Sequence, residues 1–88
     1  MYIVWAYYKG YDLKLDRRLE KSLGKQSTGS GYGNRDDGSN SRDISWDFNK
    51  EEDAENAVKR LKRFRRVCEI CVWKDSFDRP LVWKRKYN

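Results

Sequence analysis

Between residues 43 and 64 the spacing of apolar side chains changes from two to three or four. Ile44, Trp46 and Phe48 alternate with Asp43, Ser45 and Asp47, which gives an extended strand one apolar and one polar face. Ala54, Ala57, Val58, Leu61 and Phe64 then fall on one side of a helix. Each of these elements is apolar on a single side, and few residues separate them. They bury those sides against each other when helices cover one face of a sheet.

The remaining segments extend the same pattern. Tyr2 to Tyr8 is rich in β-branched and aromatic residues and is followed by Gly10, which predicts a first strand. Leu15, Leu19 and Leu23 recur at four-residue spacing, and Gly24 stands where a helix C-terminal glycine belongs. Residues 25–41 are mixed Gly, Ser, Asn and Asp, which is loop or hairpin chemistry. A Gly-rich strand is expected near Ser27 to Gly33, with a turn at Asp37-Gly38. Asn49 is the expected N-cap of the second helix, with Glu52 in the capping-box position. Val67 to Lys74 is a further strand. The order strand, helix, strand, strand, helix, strand is that of an α+β ferredoxin-like βαββαβ sandwich, an antiparallel sheet with two helices on one face. Residues 1–74 would form this domain. Residues 75–88, with Pro80 and then Leu81-Val82-Trp83, would form a basic aromatic C-terminal arm or an extra edge strand.

Eighty-eight residues make one small domain with little core to spare. Trp5, Trp46, Trp73 and Trp83 therefore matter, because each aromatic ring buries a large area. The net charge of +6 favours anionic partners. No segment has the apolar length of a membrane span. The opening residues Met1-Tyr2-Ile3-Val4-Trp5 read as a strand without a basic leader, so a cytoplasmic protein is expected.

The densest charge lies in Lys59-Arg60-Leu61-Lys62-Arg63-Phe64-Arg65-Arg66, six cations and two apolar side chains in eight residues. Cations at a helix C-terminus complement the macrodipole, and Glu51, Glu52, Asp53 and Glu55 suit the opposite end. That accounts for one or two cations; six crowded like charges repel unless something anionic offsets them. Lys84, Arg85 and Lys86 form a second cluster beside Trp83 and Tyr87, a mixture suited to phosphate contact and base stacking, or to docking on the acidic sheet face.

Other chemistries find little support. RNA-recognition domains share this element order and stack bases on the open sheet face, but here the third strand offers aspartates to that face. Gly29-Ser30-Gly31-Tyr32-Gly33 lacks the following helix that a phosphate loop requires. Cys68 and Cys71 fall on a strand, where residues three apart point to opposite faces, and no histidine completes a zinc site. The missing histidine also removes the usual general base near neutral pH. The sequence thus describes a non-enzymatic binding protein without cofactor. Lys59, Arg60, Lys62, Arg63, Arg65 and Arg66 would contact nucleic acid phosphates with little sequence preference, helped by Trp83, Lys84, Arg85 and Lys86. The alternative is a small inhibitor or adaptor docking on a protein or nucleoprotein surface, by analogy with phage-encoded antagonists of bacterial defence, which often have this size and lack catalytic residues. A homodimer is compatible with either.

Overall fold

The computed structural model describes residues 1–34, 40–74 and 81–84. Its elements are β1 (Tyr2–Lys9), α1 (Leu13–Leu23), β2 (Gly29–Asn34), β3 (Asn40–Phe48), α2 (Glu51–Leu61), β4 (Val67–Lys74) and β5 (Leu81–Lys84). The strands form one antiparallel sheet in the order β2-β3-β1-β4-β5. The first four strands and two helices make the expected ferredoxin-like sandwich. Leu81–Lys84 supplies the added edge strand, paired with β4. The Asp37-Gly38 turn, Pro80, Arg85, Lys86 and Tyr87 lie outside the described residues.

Side-chain alternation places the core where the apolar pattern requires. Val4, Ala6 and Tyr8 of β1, Ile44 and Trp46 of β3, and Ile70 of β4 meet Leu15 and Leu19 of α1 and Ala54, Ala57 and Leu61 of α2. In the same register Ile3, Trp5 and Tyr7 turn to the other face with Asp43, Ser45, Asp47, Glu69, Cys71 and Trp73. That face therefore combines carboxylates with aromatic rings. On β2, Gly31 lies opposite Asp43, and a Cβ at Gly31 would stand 2.7 Å from Asp43 Oδ1. The glycine thus makes room for a neighbouring carboxylate, within a strand paired to β3.

Both helix ends have identifiable causes. At the start of α1, Asp12 accepts hydrogen bonds from the amides of Lys14 and Leu15 at 3.0 and 3.2 Å. At its end Gly24 takes the left-handed conformation, φ 65°, and its amide helps close the last turn. The second helix departs from expectation. Its N-cap is Lys50, which makes no side-chain capping bond, and Asn49 lies one residue further out. Because β3 runs through Phe48, Asn49 and Lys50 are both needed to turn the chain from strand to helix. Charge still favours this helix start, since Glu51, Glu52 and Asp53 occupy its first turn.

The C-terminal half of the basic run also departs from the helix the sequence suggested. Helix α2 stops at Leu61, and residues 62–66 descend to β4 through tight turns. Arg63 and Phe64 donate to the carbonyls of Arg60 and Leu61, and Val67 donates to Phe64. Phe64 still packs on the core, as its spacing required. The turns let it do so while Arg63 and Arg65 stay exposed. Among the described residues, no helix is long and apolar enough to cross a membrane.

Candidate nucleic-acid interface

A helix turns its side chains by about 100° per residue, so adjacent cations at its end cannot share a direction. The basic run is divided accordingly. Lys59 and Lys62 line a groove between α2 and β4, together with Val58 and Val72. Arg60 turns towards α1 and donates to the carbonyl of Ser22 at 2.9 Å. Arg63, Arg65 and Arg66 enter a third space, a cleft of about 360 Å³ between α1 and the turn that follows α2.

One member of this cleft lies outside the basic runs of the sequence. Arg18 of α1 lines it, with its guanidinium carbon 5.7 Å from the centre of the Phe64 ring. The remaining lining comes from Leu15, Ser22 and Phe64, and no carboxylate is among the residues that form it. Four arginines from two elements therefore line one cleft, with Arg18 over the Phe64 ring. A sequence signal for Arg18 existed: it follows Leu15 by three positions, which places it beside the buried edge of α1.

Arg66 is already committed within the molecule. Its Nη1 lies 2.5 Å from Asp12 Oδ2, and its guanidinium covers the Tyr8 ring at 5.3 Å. The Arg66 hydrogen bond holds the Asp12 carboxyl below its ordinary range, helped by the amide of Leu15. By contrast, neither Arg63 nor Arg65 has an ion pair or side-chain hydrogen bond among the described residues. These two side chains and Arg18 are the cations in the cleft without an anionic partner.

Beneath Arg66 lies a second polar group of residues. The Tyr8 hydroxyl donates to Asp16 Oδ1, while Arg42 donates to Asp16 Oδ2 from Nε at 3.1 Å and Nη2 at 2.9 Å. Tyr8 and Asp16 are 0% and 2% exposed, so this cluster joins β1, α1 and β3 instead of meeting a ligand. Burial pushes the Tyr8 hydroxyl up to about 12, and its bond to Asp16 acts in the same direction. A raised folded-state pKa means that the contribution to stability is intact below the ordinary value near 10 and is lost as pH rises towards 12. In a spectrophotometric titration of tyrosinate, one late step near pH 12 is expected, and Tyr8→Phe should lack it. A Tyr8→Phe protein that retained the step would show that another tyrosine carries it.

The other sequence candidates are dispersed. Trp83 packs against the core on the helix side of β5, with the Lys62 ammonium 5.8 Å from its ring centre. Lys84 pairs through its backbone with Glu69, whereas Arg85 and Lys86 lie outside the described residues. Cys68 and Cys71 are buried and not joined in a disulfide. The register skips Cys68 between Tyr7 and Tyr8, and its thiol donates to the Tyr7 carbonyl at 3.3 Å. Among the described residues no three Cys, Asp or Glu side chains gather to hold a metal ion. Comparison of the chain with protein-family models, curated proteins and solved structures found no match.

Proposed function

We propose that this protein binds nucleic acid by phosphate contacts at the cleft formed by Arg18, Arg63, Arg65 and Arg66. The observation that carries the reading is the convergence of these arginines from α1 and the α2–β4 turn in a cleft without a lining carboxylate. Guanidinium groups suit phosphate because their planar forks make paired hydrogen bonds to its oxygens. The contacts need no base edge, so the binding is largely independent of sequence. Carboxylates on the sheet face opposite the helices, Asp43, Asp47 and Glu69, favour approach from the helix side.

Salt dependence provides the test. With Arg66 neutralised by Asp12, three cations remain for phosphate, so log K against log salt should have a slope of about −3 on duplex DNA. The Arg63→Ala/Arg65→Ala double variant should weaken binding to all sequences alike and reduce that slope by about 2. A flat plot, or no binding of either duplex or single strand at low salt, contradicts the proposal.

A further inference from the structure

Among the described residues, the aromatic side chains most exposed to solvent lie at the same end of the molecule as the arginine cleft. Tyr11 and Tyr32 are 54% and 50% exposed, unusual values for such large rings in a chain with a small core. They touch each other edge to face, with centres 5.6 Å apart and planes at 87°. Tyr11 comes from the link between β1 and α1, and Tyr32 from the glycine-rich strand β2. Two distant segments thus build one exposed aromatic pair.

Sheet register connects this pair to the cleft. Tyr32 of β2 lies opposite Arg42 of β3, Arg42 opposite Tyr8 of β1, and Tyr8 opposite Val67 of β4, the neighbour of Arg66. Three strand spacings make this row about 14 Å wide. Arg42 covers Tyr11 at 4.5 Å, and Arg66 covers Tyr8 at 5.3 Å. The row therefore runs from exposed rings at one edge to arginines at the other. Its middle is rigid, because Asp16 holds both Arg42 and Tyr8 from below. Tyr11 and Tyr32 are consequently positioned before any ligand arrives, which limits the loss of side-chain freedom on binding.

We infer that the ligand of this surface is single-stranded nucleic acid, with unpaired bases stacking on Tyr11 and Tyr32 while the adjoining backbone lies on Arg18, Arg63 and Arg65. This inference rests on the phosphate-binding reading above and adds a strand preference to it. In a duplex the bases are stacked on one another, so exposed rings gain nothing from meeting it. Unpaired bases present their faces, and stacking on aromatics tolerates any sequence. The arrangement differs from base stacking on an open sheet, since Tyr11 and Tyr32 stand on the helix side and at its margin.

Fluorescence anisotropy with labelled oligothymidylate, oligouridylate and a mixed-sequence duplex of equal length, at one salt concentration, tests the inference. Both single strands should bind at least 10-fold more tightly than the duplex. Tyr11→Ala and Tyr32→Ala should each weaken single-strand binding by about 5- to 150-fold without changing the salt slope, because no charge is removed. Tyr32→Phe, which keeps the ring, should bind as the parent does. As a second measurement, 5-iodouracil oligonucleotides should photocrosslink to Tyr11 or Tyr32, which needs no variant to fold. Equal affinity for single strand and duplex, or unchanged binding by both alanine variants, overturns the strand preference and leaves phosphate binding standing. Absence of binding to all three probes at low salt overturns both.

Discussion

Replacing Asp16 by alanine is expected to lower the free energy of unfolding by about 3–5 kcal/mol, since one partner of a buried ion pair is removed. The carboxylate is 2% exposed and receives three hydrogen bonds, two from Arg42 and one from Tyr8. Its loss leaves a cation whose side chain is 12% exposed without its acceptor, and leaves the Tyr8 hydroxyl only the Asp12 carbonyl at 3.0 Å. Domains of this size are stabilised by about 5–15 kcal/mol in total, so the variant should be close to unfolding at room temperature. Urea denaturation followed by tryptophan fluorescence gives the value. Removing all three polar groups, as Asp16→Leu/Arg42→Met/Tyr8→Phe, should recover much of the loss, because the buried charges go together and only the Asp12 amide, which donates to the Tyr8 hydroxyl at 3.2 Å, loses a partner. A single Asp16→Ala loss below about 1 kcal/mol would mean that water reaches Arg42.

Trp46→Ala should have an effect of similar size, about 3–5 kcal/mol, for a different reason. Trp46 heads the fully buried side chains by volume and sits at 0% exposure near the C-terminal end of β3. Its indole Nε1 also donates to the Lys25 carbonyl at 3.0 Å, just beyond the Gly24 cap of α1. The substitution thus opens a cavity in the core and releases the segment that leads from α1 to β2. Trp46→Phe separates the two parts, since it restores most of the volume and none of the hydrogen bond. Its loss should fall well below that of Trp46→Ala and exceed about 0.5 kcal/mol, the lower range for one hydrogen bond. Equal midpoints for Trp46→Phe and the parent protein would show that the Lys25 carbonyl finds another donor.

Much of the architecture is legible in short-range patterns. Alternation across 43–48 and the leucine spacing at 15, 19 and 23 depend only on which side of an element is apolar, and both are found as expected. Gly24 was readable because a left-handed residue that ends a helix favours glycine. The N-cap of α2 was misplaced by one residue because the sequence does not record how many residues a strand needs before it can turn. By spacing alone, Asp16 is a polar residue between Leu15 and Leu19 with nothing to mark it as buried. It is buried because β3 delivers Arg42 to that position, a contact across 26 residues.

The candidate site was legible in part. Its charge lies in the sequence, and so does the commitment of Leu61 and Phe64 to the core, because both follow from composition and spacing. Which cations line the same space depends on tertiary structure alone. The end of α2 at Leu61 sends Lys59 and Lys62 to one groove, Arg60 to the carbonyl of Ser22, and Arg63, Arg65 and Arg66 to a cleft shared with Arg18. The pairing of Tyr11 with Tyr32 likewise depends on sheet register. A sequence determines how much charge and apolar surface each element carries, since those belong to single residues. Convergence belongs to the directions in which packed elements point, and only the assembled sheet and helices set them.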